Sequence, residues 1–192
     1  MCPDPPRERK FYSQLLAIDE RETAEVRAGR CPLCGGRLDT RNYPRKPRGG
    51  PPGLGDEHRT RLSLCCAVDG CRKGVTPESA RFLGRKVYFG VIVVLMSALA
   101  NGVTPARARK LREETGVSAR TLARWRAWWL DDFRASRFWK AARGHLSPPV
   151  DGGELPSSLI ARFLERAASG LVGLLRFLSP ITTTSAPGCQ PV

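Results

Sequence analysis

Hydrophobic and polar positions follow two different periods along this chain, and the change falls near residue 87. Residues 61–65, Arg-Leu-Ser-Leu-Cys, alternate polar and apolar side chains, which is typical of a half-buried strand. The longest uncharged apolar stretch then runs from Val87 to Ala100 and is followed by Asn101-Gly102, a common helix end. With about fourteen residues it is shorter than the roughly twenty that a membrane span requires. We therefore expect a buried helix over 87–100 and no membrane contact.

The next segment predicts two helices joined by a tight turn. Thr104-Pro105 is suited to begin a helix that runs to about Thr115, and Gly116 is suited to the turn. Ser118 is a good N-cap for a second helix continuing to about Phe133. The apolar residues expected to pack inward are Leu111, Val117, Leu122, Trp125 and Trp129. The helices over 87–100, 104–115 and 118–133 make a three-helix helix-turn-helix unit, and a further short helix over 136–143 extends this region to residue 145.

The last third of the chain carries a separate apolar stripe. Its members alternate in spacing between four and three residues, and they are Ile160, Leu164, Ala167, Leu171, Leu174 and Leu178. This period predicts one continuous amphipathic helix over 155–179, after a Pro- and Gly-rich linker at 146–154. The stripe could form a homodimer, or it could fold back onto Val91, Ile92, Leu95 and Trp128 to complete the core. Residues 180–192 are expected to be a disordered tail.

Residues 1–30 are strongly charged, and their amphipathic pattern is weak. Residues 37–61, rich in Arg, Pro and Gly, predict a long basic loop without a core of its own. The predicted fold is therefore mainly α with a small zinc-ribbon β element at 31–86. The helix-turn-helix and the C-terminal amphipathic helix follow that element.

The charge of the chain points to a polyanionic partner. Lys and Arg number 32 against 18 acidic residues, giving a formal net charge of +14 among 192 residues. Cationic proteins bind nucleic acids chiefly by neutralising phosphates and releasing counterions. We expect double-stranded DNA as the partner and a cytoplasmic, nucleoid-associated location.

Seven cysteines are an odd number for a disulfide framework, and the first residues contain no apolar stretch typical of a secretory leader. Two clusters instead have metal-ligand spacing: Cys31-Pro-Leu-Cys34-Gly-Gly and Cys65-Cys66-Ala-Val-Asp-Gly-Cys71. We predict one structural zinc ion held by Cys31, Cys34, Cys66 and Cys71.

Cys65 is the alternative fourth ligand, because Cys66 would share the core-facing side of a strand with Leu62 and Leu64. A redox pair is the rival hypothesis for Cys31 and Cys34, but such a pair normally opens a helix, whereas Gly-Gly follows here. Four thiolates leave no open coordination position, so we predict no enzymatic activity.

The second helix of a helix-turn-helix reads base edges from its N-terminal residues. Ser118, Arg120, Thr121 and Arg124 occupy those positions, and Arg120 and Arg124 share one face and can bind guanine bidentately. The residues better suited to phosphates are Arg107, Arg109, Lys110, Arg112 and Arg126. The alternative is a helical hairpin whose arginines are simply solvated.

Three motifs occur here in a familiar order: Cys31-Pro-Leu-Cys34-Gly35, then Cys71-Arg-Lys-Gly-Val-Thr76, then Gly116-Val117-Ser118. This order resembles the N-terminal half of insertion-sequence transposases that begin with a zinc ribbon. The resemblance implies recognition of element ends and a transposase or integrase partner. The second cysteine cluster is longer than in that family, and about fifty residues after Arg143 are too few for a ribonuclease-H-like catalytic domain.

The sequence therefore predicts a sequence-preferring DNA-binding protein, accessory to or derived from a mobile-element transposase. Two alternatives are an RNA-binding zinc protein that uses residues 41–61, and a scaffold that recruits a protein through its C-terminal helix.

Overall fold

The computed structural model describes residues 6–84, 86–99, 109, 113–165 and 169–183 of the chain. The protein is mainly helical with two small sheets, in agreement with the predicted fold class at that level. Within the described ranges, no helix is both long and apolar enough to cross a membrane.

The first helix, α1 (Arg9–Ala28), is much longer than the weak pattern in this segment indicated. Its buried face consists of Tyr12, Leu15, Asp19 and Thr23, which follow a helical spacing. Two of these four residues are polar, so a search for apolar periodicity misses the face. The charged N-terminal segment is therefore an integral helix of the fold.

Asp19 is buried because it receives three hydrogen bonds from one segment of the chain. Its carboxylate accepts from the Ser79 hydroxyl at 2.5 Å, the Ala80 backbone N–H at 2.7 Å and Arg81 Nε at 2.8 Å. Arg81 is equally buried, and its Nη1 donates to the carbonyls of Glu57 and His58. The ion pair thus joins α1 to two distant parts of the chain.

The cysteine-containing region forms two small antiparallel sheets. The first contains β1 (Leu38–Thr40), β4 (Leu64–Cys66) and β5 (Gly74–Val75), with β4 in the centre and Leu38 opposite Cys66. The second pairs β2 (Tyr43–Pro44) with β3 (Thr60–Arg61), and the short helix α2 (Asp56–Arg59) precedes β3.

The prediction of a basic loop without a core over 37–61 is wrong. Besides β1, β2, α2 and β3, this segment buries Pro47, Pro51, Leu54 and His58. Leu54 belongs to the same hydrophobic cluster as the apolar helix that follows. Proline and glycine here bring the backbone against the core, whereas composition alone suggested solvent-exposed turns.

The central apolar helix, α3 (Gly90–Leu99), begins later than predicted because the residues before it make bridges. Tyr88 pairs with Arg48, and Phe89 pairs with Phe82. Eight consecutive residues of α3, 91–98, are buried, as the uncharged run indicated.

The next two helices each begin directly after a serine N-cap. Helix α4 (Ala119–Trp128) is capped by Ser118 and continues into a π-helical turn, Trp129–Phe133. Helix α5 (Arg137–Ala142) is capped by Ser136 and ends in a 3₁₀ turn, Arg143–His145. Of the helix predicted before Gly116, residues 109 and 113–115 are described and are helical. Its start at Thr104-Pro105 and the inward position of Leu111 lie outside the described residues.

The prediction of one continuous C-terminal helix is also wrong. After a 3₁₀ turn at Gly152–Glu154 inside the predicted linker, the chain forms α6 (Ser157–Leu164) and α7 (Gly170–Leu178). These two helices pack against each other, with Gly170 against the backbone of Phe163. The spacing concealed the break because Leu164 and Leu171, on either side of it, are seven residues apart, as on two turns of a single helix.

Helix α7 folds back onto the core. Leu174, Leu175 and Leu178 are buried in the same cluster as Val91 and Ile92 of α3, which is the second of the two predicted alternatives. A 3₁₀ turn, Ser179–Thr182, follows α7. Of the predicted disordered tail, residues 184–192 lie outside the described part of the chain, as does Ala167 of the predicted stripe.

Candidate metal centre and nucleic-acid interface

Four cysteine sulfurs converge at one point of the structure. The Sγ atoms of Cys31, Cys34, Cys66 and Cys71 all lie within 4.8 Å of one another. Cys31 and Cys71 are 3.8 Å apart, and Cys34 and Cys66 are 3.4 Å apart. Sulfurs at about 2.3 Å from a tetrahedral zinc are separated by about 3.8 Å, whereas a disulfide has an S–S distance of about 2.05 Å. This cluster could therefore hold a metal ion.

The first pair of cysteines lies in a tight backbone turn. The Cys31 N–H donates to the Gly36 carbonyl at 2.9 Å, and the Gly35 N–H donates to the Cys31 carbonyl at 2.8 Å. A Cβ at Gly36 would lie 2.4 Å from Val68 Cγ2 and within 3.3 Å of the sulfurs of Cys34 and Cys66. Glycine is needed at this position because the backbone passes directly beside the sulfur cluster.

The second pair comes from β4 and the turn that follows it. Cys66 shares the face of β4 that carries Leu64, and both belong to a small hydrophobic cluster with Cys31 and Leu38. Cys65 lies on the opposite face, where its Sγ contacts the Arg72 carbonyl at 3.4 Å. The expected strand alternation is correct, but the sulfur cluster lies on the face that carries Leu64. Cys66, the favoured residue, is therefore in the cluster, and Cys65, the alternative, is not.

The thiols differ in acidity because their surroundings differ. Backbone N–H groups of Cys34 and Leu33 that donate to the Cys31 sulfur lower its pKa to about 7. At Cys66 the Val68 N–H lowers the pKa, but burial and the neighbouring thiols outweigh it and raise the pKa to about 12. A divalent cation would supply the positive charge that lets all four sulfurs ionise together.

The predicted DNA-contacting residues that the structure describes lie at the start of α4 or along it, except Arg109, which precedes it. The Ser118 hydroxyl accepts the Thr121 N–H at 3.2 Å and donates to the Thr121 hydroxyl at 2.9 Å, so both side chains take part in the cap. Arg120, Arg124 and Arg126 are exposed on α4. Arg109 is also exposed, while Arg107, Lys110 and Arg112 lie outside the described residues.

The opposite face of α4 is anchored in the core. Val117, Trp125 and Trp129 are buried as predicted, and Leu122 is half-buried. The Tyr88 hydroxyl donates to the Gly116 carbonyl at 2.8 Å, and the Tyr88 ring packs edge-on against Trp125 with centroids 5.1 Å apart. The segment before α3 therefore fixes both the turn and the helix that follows it.

Lys86 is a neighbour of α4 that belongs to no recognisable sequence motif. Its ammonium lies 3.7 Å from the centroid of the Trp128 ring, so this half-buried tryptophan is covered by a cation. Burial lowers the pKa of Lys86 to about 8; Asp132 opposes that shift, and Arg124 adds to it.

The fold and the site together define a mainly helical protein with a four-cysteine centre that could hold a metal ion. No protein-family model, curated protein or solved structure matches this chain.

Proposed function

We propose that this chain is a sequence-preferring DNA-binding protein with α4 as its recognition helix, and that its four-cysteine centre holds one structural zinc ion. The observation that carries the DNA-binding proposal is the exposed face of α4. Arginine and alanine alternate along it, and its members are Arg120, Ala123, Arg124 and Ala127.

This face suits the major groove of B-DNA. The groove is about 12 Å wide and accepts an α-helix. The alanine side chains between the arginines are short, so the helix backbone can approach the base edges closely. The alanine methyl groups can also contact the methyl group of thymine. Each arginine can form two hydrogen bonds to guanine. The buried Trp125 and Trp129 hold the helix while its other face stays free.

Selection of binding sites from a random duplex library, followed by fluorescence anisotropy, tests this role. We expect Arg120→Ala and Arg124→Ala each to reduce discrimination between selected and scrambled duplexes by about 1–3 kcal/mol. Arg126→Ala should weaken binding to both duplexes equally and reduce the slope of log affinity against log salt by about 0.9. Arg21→Ala, which removes one exposed charge from α1, is the matched control. Unchanged discrimination in both the Arg120 and Arg124 variants would contradict the proposal.

A structural zinc ion is supported by the thiolate donor set and by the small size of the surrounding core. Among the described residues, the cluster around the cysteines contains two fully apolar buried side chains, Leu38 and Leu64, with Val26 and Val75 packed against them. So few apolar side chains rarely stabilise a small unit, and bound metals commonly supply the difference.

Two adjacent cysteines provide the test of the metal centre. We expect one zinc ion per chain by elemental analysis, retained in Cys65→Ser and lost in Cys66→Ser. Protected thiols should number four in the parent protein. A folded parent protein without metal, or equal metal contents in the two variants, would contradict the proposed centre.

The resemblance to transposases makes the ends of a mobile element the first target to examine. Competition between duplex DNA and structured RNA separates the DNA-binding proposal from an RNA-binding role. The scaffold alternative is less favoured, because the apolar side chains of α7 that it would present are packed into the protein's own core.

A further inference from the structure

Residues 45–48, which we call the basic arm, contain three basic residues. These residues differ in exposure and in their hydrogen bonds. Arg45 is internal to the fold: its Nη2 donates to the Gly84 carbonyl at 3.2 Å and to the Lys86 carbonyl at 3.0 Å. Lys46 and Arg48 are exposed. Arg45 therefore holds the arm, and Lys46 and Arg48 are the charges it presents to solvent.

The arm has a fixed backbone. The Arg48 N–H donates to the Val87 carbonyl at 2.9 Å, and the Arg48 carbonyl accepts the Phe89 N–H at 3.2 Å. Pro47 between the two exposed residues is buried. Lys46 has a φ of 47°, a left-handed conformation that favours glycine. Arg30 and Arg72 share this conformation, but neither belongs to the arm.

The arm lies beside α4. Arg48 is bridged to Tyr88, the residue whose hydroxyl and ring contact Gly116 and Trp125. Bridged backbones are about 4.8 Å apart, so the Arg48 backbone lies within about 15 Å of the Trp125 ring. Lys86 lies over Trp128 of the same helix.

We propose that Lys46 and Arg48 bind phosphates of the DNA strand that borders the groove occupied by α4. This inference rests on the DNA-binding role proposed above. A helix in a groove about 12 Å wide is flanked by phosphate backbones on both sides. The Tyr88–Gly116 hydrogen bond puts the arm next to the turn before α4, at the N-terminal end of the helix, which is the end that reads base edges. Phosphate contacts of this kind set the orientation of a recognition helix without adding base preference.

The variants are Lys46→Gly and Arg48→Ala, with Arg21→Ala again as the control. Glycine is well suited to the φ of residue 46, so Lys46→Gly removes the charge without straining the backbone. Each variant should reduce the salt slope by about 0.9, which lowers affinity about eightfold at 0.1 M salt relative to a 1 M reference. The ratio of affinities for selected and scrambled duplexes should not change. Hydroxyl-radical footprints should lose protection at backbone positions on one flank of the site.

Salt slopes and footprints equal to those of Arg21→Ala would overturn this inference. That result would leave the proposed function standing, provided Arg120→Ala and Arg124→Ala still relax base preference. Unchanged base preference in those two α4 variants would instead refute the recognition helix itself. A loss of base preference in Lys46→Gly with an unchanged footprint would also overturn the phosphate role.

Discussion

Replacement of Asp19 by alanine is expected to destabilise the protein severely. The carboxylate is fully buried and accepts hydrogen bonds from Ser79, Ala80 and Arg81, the last of which is also fully buried. Removing one partner of a buried ion pair leaves an uncompensated charge and costs about 3–5 kcal/mol. The Ala80 N–H, left without an acceptor, adds about 1 kcal/mol or more. A total of about 5 kcal/mol approaches the whole stability of an ordinary domain, about 5–15 kcal/mol.

A second Asp–Arg pair in the same chain provides the control. Asp39 and Arg37 are 2.9 Å apart, almost the separation in the buried pair, but both side chains are exposed. Asp39→Ala should therefore change the free energy of unfolding by at most about 1 kcal/mol. Urea unfolding followed by tryptophan fluorescence measures both variants.

The outcome for the double variant Asp19→Leu with Arg81→Met distinguishes a lost charge partner from lost packing. Replacing both members removes the uncompensated charge, so much of the stability lost in Asp19→Ala should return. An unfolding free energy lowered no more by Asp19→Ala than by Asp39→Ala would show that burial does not strengthen the Asp19–Arg81 pair.

Three further changes test other parts of the structure. Ser118→Ala removes the acceptor for the Thr121 N–H and should lower the free energy of unfolding by about 1 kcal/mol, measured by urea unfolding. Gly170→Ala would place a Cβ 2.3 Å from the Phe163 carbonyl oxygen, so we expect the free energy of unfolding to fall by about 1–3 kcal/mol in the same assay. An unchanged urea midpoint would contradict the close packing of Gly170 against Phe163. Lys86 has a pKa of about 8 in the folded protein against an ordinary 10.5, so the unfolded chain binds more protons between these values. The free energy of unfolding of the parent should therefore rise from about pH 8 to pH 10.5 relative to that of Lys86→Met. An equal pH dependence of the two urea midpoints would show that burial does not lower the pKa of Lys86.

The parts of the fold predicted well from the sequence are those in which one local signal determines the structure. Ser118 caps α4 as predicted, because a serine side chain satisfies a free backbone N–H, and Ser136 starts the helix expected over 136–143 in the same way. The uncharged run of α3 is buried over residues 91–98. The C-x-x-C pair lies in the sulfur cluster because the spacing itself requires a tight turn.

The parts predicted poorly depend on partners distant in sequence. Asp19 is buried only because Arg81 is available, 62 residues later, so α1 has a weak apolar pattern. Pro47 is buried in the fold, although the Pro- and Gly-rich composition of its segment suggested solvent-exposed turns. The choice between Cys65 and Cys66 depended on which face of β4 the sulfur cluster occupies, and alternation along one strand does not contain that information.

Helix α1 has a practical consequence for dissecting the protein into fragments. At about 1.5 Å per residue it is about 30 Å long, and it reaches both hydrophobic clusters. Tyr12 and Leu15 belong to the large cluster, and Val26 packs against the small one beside the cysteines. A shortened chain beginning at Cys31 would keep every recognisable motif and yet lose the support that joins the two clusters. The boundary of a stable fragment therefore lies before residue 9, in a stretch of sequence that carries no motif.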